Sequence, residues 1–196
     1  MDAQRPRTSR RPRRDDGFTL VELLAVLSIV AILLGLGVPG MQRLVNGTRA
    51  DGSIRELYAL LASARQMAVL TRRDVTLCGT ADGTNCSRTW NGNPTLVFAD
   101  GNRNRRADAG EEIFQVSELT HTGRIRWSAS GNRSYLRFRP DGAALEFGNF
   151  TWCPASGDAR QARQLILNVT GRPRSAVDAD GDGVVEDRNG DPLSCE

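Results

Sequence analysis

The stretch RRDDGFTLVELLAV, residues 13–26, decides how the rest of the chain is read. Glu22 stands inside an apolar run: from Phe18 to Val38, 21 residues, only Thr19, Glu22 and Ser28 are polar. Such a run is long enough to cross a bilayer core as a helix. A carboxylate within it costs roughly 2.5–3.5 kcal/mol on insertion scales, so something must offset that cost. Six arginines precede the run: Arg5, Arg7, Arg10, Arg11, Arg13 and Arg14. They predict a cytoplasmic start and place everything after Pro39 on the far side of the membrane. An ordinary secretory signal carries its small-residue cleavage site after the apolar stretch. Here Gly17 precedes it instead.

Working outward, 196 residues leave room for one modest domain with accessory segments. There is no lysine, so all 26 cationic residues are arginines, and they are unevenly spread. Residues 1–17 carry a formal charge of +3, residues 18–174 carry +6, and residues 175–196 carry −6. A basic body ending in an acidic tail often marks an interaction surface, although composition alone favours a soluble surface with no partner. The four cysteines, Cys78, Cys86, Cys153 and Cys195, show no CxxC spacing. An even number without that spacing suits disulfides in an oxidising compartment better than zinc. Three connectivities are open. The short 78–86 loop favours Cys78–Cys86 with Cys153–Cys195, which would tie the acidic tail back to the domain.

The order Gly, Phe, Thr, Leu, then Glu, then apolar residues in GFTLVELLAVLSIVAIL (17–33) resembles the class III signal of type IV prepilins and type II secretion pseudopilins. The resemblance implies cleavage by a prepilin peptidase between Gly17 and Phe18 and methylation of the new amine at Phe18. Glu22 becomes the fifth residue of the mature chain. Its carboxylate then sits one helical turn from that amine, and the two charges can offset each other in the bilayer. In an assembled fibre the family sets this glutamate against the amine of a neighbouring subunit. Fixing register is the best-attested use of a buried charge.

GLGVPG (35–40) formally matches GxGxxG, but it lies in the apolar run with no strand before it, so a dinucleotide site fails on context. Three glycines and a proline subtract roughly 6 kcal/mol of helix propensity relative to alanine. This stretch is therefore expected to hold as a helix in lipid and to melt in a fibre, as in related pilins.

Beyond it, Ile54, Leu57, Tyr58, Leu61, Ala64 and Ala68 follow helical spacing, with Arg55, Glu56 and Arg65 off that face. After Arg73 the pattern turns to short strand-like runs near 75–78, 95–98, 112–116, 124–127, 134–139, 143–147 and 164–169. The expected class is α+β: one long amino-terminal helix, membrane-spanning in its first half, packed on an antiparallel β-sheet head. ARQMAVLTRRDVTLC (64–78), Trp90, LVFADGNRNRRADAGEEI (96–113) and LILNVTGRPR (165–174) resemble the GspH/FimT branch of minor pilins and pseudopilins. The organisation this implies is a cleaved basic leader over 1–17 and a long pilin helix over 18–73, transmembrane to about residue 38. A β-rich head over 74–174 and an acidic tail over 175–196 complete it.

Catalysis is not expected: His121 is the single histidine, and no nucleophile motif, P-loop or zinc helix accompanies it. GRPR (171–174) resembles the GRxR motif of DNA-binding FimT proteins, which implies Arg172 and Arg174 as contacts to double-stranded DNA. Gly171 permits a turn, and Pro173 stiffens the spacer between two guanidinium groups that can engage phosphates without reading bases. In NRSYLRFRP and RIRW, Arg137 and Arg139, and Arg124 and Arg126, alternate with apolar residues. If those strands pair, their arginines line one face; a merely solvated sheet face fits the same pattern.

Two acidic loops suggest calcium as a cofactor. DADGDGVVEDRN places Asp178, Asp180, Asp182 and Gly183 at EF-hand positions one, three, five and six. Position twelve is Asn189, so closure would fall to Glu186 or Asp191. DGNRNRRADAGE has Asp100, Asn102, Asn104, Asp108 and Glu111 at ligand spacing without the turn glycine, and reads rather as a hairpin loop held by Asx turns.

The expected function is that of a minor pilin or pseudopilin. It is held in the bacterial inner membrane with its head in the periplasm, then built into a type IV pilus or a type II secretion pseudopilus beside other major and minor pilins or pseudopilins. DNA capture for natural transformation is the specialised role, and a purely structural or priming subunit without DNA binding is the alternative.

Overall fold

The structure, a computed structural model, describes residues 19–90, 94–118 and 123–195. Gly17, Phe18 and His121 lie outside the described residues. Helix α1 runs from Leu20 to Thr71. Thr19 caps it, its Oγ1 accepting from the Glu22 backbone N–H at 3.2 Å. Thr19-x-x-Glu22 is the spacing of a capping box, and an acid in the first turn also suits the positive end of the helix. Local geometry thus supplies a second reason for Glu22, beyond any partner subunit.

The chain divides into two compact units, Met1–Gln42 and Arg43–Glu196. In the first, large side chains from Leu20 to Leu34 are exposed all round the helix. A helix apolar on every face belongs in a non-aqueous setting. Among the described residues no helix is long and apolar enough to cross a membrane; the apolar run 18–38 extends onto positions outside them. The backbone is helical through Gly35–Gly40.

In the second unit α1 buries Ala50, Ile54, Leu57, Leu61, Ala64 and Ala68 along one stripe, with Leu60 beside it. Tyr58, one step past Leu57, falls at the edge of the stripe and stays 46% exposed. Strands β1 (Val75–Gly79), β2 (Thr95–Ala99), β3 (Ile113–Ser117) and β5 (Tyr135–Phe138) form an antiparallel sheet in the order β3-β2-β1-β5. Strands β4 (Gly123–Ala129), β6 (Gly148–Pro154), β7 (Arg163–Leu167) and β8 (Pro173–Ser175) form another, in the order β4-β6-β7-β8. The head is therefore two antiparallel sheets rather than one.

Both sheets meet the helix stripe in one core. Val75, Leu77, Val97, Leu136 and Phe138 come from the first sheet, and Phe150, Trp152, Leu165 and Leu167 from the second. Trp127 stacks on Phe150 at 4.2 Å, and Trp90 meets the same ring edge-on at 5.0 Å. Alternation along the strands turns Cys78, Leu96, Phe98 and Tyr135 to the other face of the first sheet, where they form a second cluster against Cys86 and Ala107.

Three segments depart from the sequence expectation, the smallest being β8, an unexpected three-residue edge strand that opens on Pro173. Residues 143–147 form no strand, only an isolated bridge between Phe138 and Ala144. The strand β6, which pairs with both β4 and β7, hides in sequence because Gly148-Asn149 opens it and Pro154 closes it. Those are turn signals, and they mask an interior buried on both faces.

Candidate functional site

GRPR sits where β7 turns into β8. Gly171 is left-handed, with φ +72°, and a Cβ there would collide with the carbonyl oxygen of Gly142. Asn168 braces the turn: its carbonyl accepts from the Gly171 N–H at 3.0 Å, and its Oδ1 accepts from the Arg172 N–H at 3.3 Å. Arg174 is in register with Ile166 on the edge strand. Arg172 and Arg174 are both exposed. Among the described residues neither forms an ion pair.

The close approach of Gly171 to Gly142 sets a second turn, residues 139–142, against the first. Arg139 belongs to that turn and is paired at 3.1 Å with the equally exposed Asp141, a contact worth little in water. Arg65 lies under both turns, its Nε donating to the Gly142 carbonyl at 2.8 Å. In sequence Arg65 reads only as off the helix stripe, and nothing local signals a partner 77 residues away.

The other arginines do not join this group. β4 and β5 lie in different sheets and never pair, so Arg124 and Arg126 do not share a face with Arg137 and Arg139. β4 and β8 are opposite edges of one sheet, roughly 14 Å apart at three strand spacings. Arg137 is largely withdrawn from solvent. Its Nη2 bonds Glu146 Oε1 at 3.2 Å, with the two side chains 12% and 7% exposed. Burial raises the Glu146 carboxyl above its usual range, and Arg137 only partly offsets this. The alternation that suggested a DNA contact for Arg137 arises because this face of the first sheet is covered by a second core cluster.

The four cysteines form Cys78–Cys86 and Cys153–Cys195. The second bond pins the tail, where Val185 and Leu193 pack on Cys153 and Ala162. Asp178, Asp180, Asp182 and Glu186 bring one carboxylate oxygen each to within 4.8 Å of the others. The loop is shaped by its own backbone. Asp178 accepts from Gly181 and Gly183, Asp180 from Asp182, Asp182 from Val184, and Glu186 from Ala179. Asp187 and Asp191, also acidic, turn back on residues 187–191. In the 100–111 loop the carboxylates are consumed locally. Asn102 and then Asn104 donate to Asp108 and hold its carboxyl below the usual range.

Residues 53–171 match the family described as type II transport protein GspH, and residues 12–38 match the prokaryotic N-terminal methylation motif. The chain belongs to the GspH family. The pilin-like protein PilA1 of Thermus thermophilus is 33% identical over 167 residues, covering 81% of this chain and 96% of that protein. Crystal structures of the type IV minor pilin FimU of Pseudomonas aeruginosa, in two space groups, align with TM-scores of 0.48 and 0.47 at 18% and 19% identity. They cover 76% and 74% of this chain, and 96% and 99% of theirs. This member of the GspH family is thus a minor pilin or pseudopilin of a type IV pilus or type II secretion system. Its methylation motif makes it a membrane-anchored subunit, processed by the prepilin peptidase and assembled with other pilins. The family is that of structural pilin subunits rather than known enzymes.

Proposed function

We propose that this subunit is held in the inner membrane with its head in the periplasm, is built into the fibre through Glu22, and binds double-stranded DNA at the GRPR turn. The observation that carries the DNA reading is the pair Arg172 and Arg174: exposed, without an ion-pair partner among the described residues, and on a braced turn beside Arg139. A braced turn presents two guanidinium groups at small conformational cost, as phosphate contacts require. The test is a binding titration of duplex DNA with the mature full chain in detergent across a salt series. Arg172→Ala with Arg174→Ala should flatten the slope of log affinity against log salt by about 2, at roughly 0.9 per lost phosphate contact. An unchanged slope returns the protein to a structural or priming subunit. For Glu22, cleavage at Gly17 would leave the Phe18 amine as the charge partner of a neighbouring subunit. Glu22→Ala should then leave the processed chain in the membrane but out of the fibre.

The convergence of Asp178, Asp180, Asp182 and Glu186 favours a second element, calcium in the tail. The tail follows directly on Arg174, and its six net negative charges repel phosphate. Calcium there would reduce that repulsion, so duplex affinity should rise with calcium and fall with chelator.

A further inference from the structure

On the side of the head formed by β4, the first disulfide loop and the 100–112 loop, Arg88, Arg105, Arg126 and Arg133 line an open cleft of about 440 Å³. Trp90, Trp127 and Ile125 also line it. A second hollow of about 410 Å³ adds Arg106 and shares Arg88, Arg105 and Ser134 with the first, so the two form one groove. Arg105 and Arg133 stand 5.4 and 5.9 Å from the centre of the Tyr135 ring, with Arg137 at 5.4 Å. Three guanidinium groups thus crowd one phenol: Arg133 Nη1 donates to its hydroxyl at 2.9 Å, and among the described residues Arg137 alone pairs with a carboxylate there, Glu146, whose charge Arg133 also feels. Arg88, Arg105 and Arg133 form no ion pair among the described residues.

This crowding is imposed by the fold. Arg105 is left-handed at φ 67°, an uncommon conformation for a bulky side chain. The Asp100 carboxylate, which accepts from its N–H, and the Cys86 N–H, which donates to its carbonyl, keep it there. Asn132, at φ 54°, turns the chain into Arg133. Backbone strain of this kind gathers at ligand sites. Repulsion among gathered cations is relieved by a bound anion.

We propose that this groove binds a short single-stranded segment of nucleic acid. Guanidinium groups would hold successive phosphates while Trp127, half-buried and stacked on Phe150 by one face, receives an unpaired base on the other, and the buried Trp90 backs it, the combination that single-strand sites use. Of the anionic polymers, an acidic polypeptide fits less well, because it has no ring to set against the indoles. The proposal deepens the nucleic-acid reading above, but it stands on different residues and fails separately.

The test uses the mature full chain in detergent, titrated with a 12-mer of oligo-dT, a 12-base-pair duplex and polyglutamate, with tryptophan fluorescence as a second readout. Oligo-dT should bind and quench indole emission. Arg105→Gln with Arg133→Gln should lower oligo-dT affinity at least about tenfold and leave duplex affinity unchanged, since two charge-assisted phosphate contacts are lost. Arg172→Ala with Arg174→Ala should do the reverse, so loss of the GRPR reading alone leaves the groove standing. Arg88→Gln, at an exposed residue away from Tyr135, guards against misfolding: it should reduce the single-strand salt slope by about 0.7. An unchanged oligo-dT affinity in the folded variants overturns the site. So does polyglutamate competing as well as oligo-dT.

Discussion

The loops at 100–112 and 178–191 look alike in sequence, both acidic, both spaced for a cation, and each lying beside a disulfide. The structure separates them. In the first, Asp100 is fully buried and accepts from Thr76 Oγ1 at 2.7 Å and from the Arg105 N–H. Glu111 takes the N–H groups of Gly101 and Asp108. Asn102 and Asn104 place their amides on Asp108 at 2.9 and 2.6 Å. From Asp178 to Glu186 the side chains offer no donor at all, only Asp, Ala, Gly, Val and Glu. Those carboxylates turn to backbone N–H groups and to one another. A loop that carries its own donors closes without an ion; a loop without them is left with a charge to neutralise.

The sharpest way to break the comparison is to cut the disulfide beside each loop. Cys153–Cys195 spans 42 residues and Cys78–Cys86 spans 8. Chain entropy alone gives about 4 kcal/mol for the longer closure and about 2.5 kcal/mol for the shorter. Cys153→Ser with Cys195→Ser should therefore cost more in denaturant unfolding than the matching change at Cys78 and Cys86. It should also expose the 176–195 segment to protease. Equal costs, or a tail that stays protected, would mean that its packing rather than the bond holds it.

Next in size is Asp100→Ala. It leaves the buried Thr76 hydroxyl and the Arg105 N–H without their acceptor, at about 2–3 kcal/mol. Asp180→Ala in calcium-free buffer should stay within about 0.5 kcal/mol. If the two substitutions cost the same, the contrast between a self-satisfied loop and an unsatisfied one is wrong. Calcium comes third. At about thirty times Kd it should stabilise the protein by about 2 kcal/mol through the tail. Asp178→Ala should remove that gain and Asp108→Ala should not. Magnesium, which demands tighter octahedral geometry, should substitute poorly.

These loops also mark how far the sequence could be read. Helix periodicity exposed the stripe from Ile54 to Ala68, and short apolar runs exposed most strands, because both signals are local. The partition of strands into two sheets was not legible. β4 and β5 are separated by only a short turn, yet each finds its partners elsewhere. The GRPR turn could be found from its own residues. Its neighbours Arg65 and Arg139 could not, because the contact that gathers them runs through Gly142. Arg137 was misread for a related reason: a strand buried on both faces shows the same alternation as one whose arginines face water.

Glu146 is the intermediate case between the two loops, a buried carboxylate that meets the Arg137 guanidinium and backbone N–H, with Arg133 as a second, weaker cation. Glu146 Oε2 and Arg137 Nε find no hydrogen-bond partner among the described residues. Burial raises its pKa above the ordinary 4.5, so the folded chain binds that proton more tightly than the unfolded chain does. By linkage, stability must fall as pH rises from about 4.5 to the raised value, and level off above it. Glu146→Gln removes the titration while keeping a hydrogen-bonding group beside Arg137. The difference in stability between wild type and Glu146→Gln should therefore move in the variant's favour as pH rises above about 4.5, a smaller effect than the three above. Thermal unfolding across that range reads it directly. A difference that instead moves toward the wild type would show that Arg137 outweighs burial. Glu146 would then belong with Asp108 of the 100–112 loop, where the Asn102 and Asn104 amides outweigh the cost of desolvation.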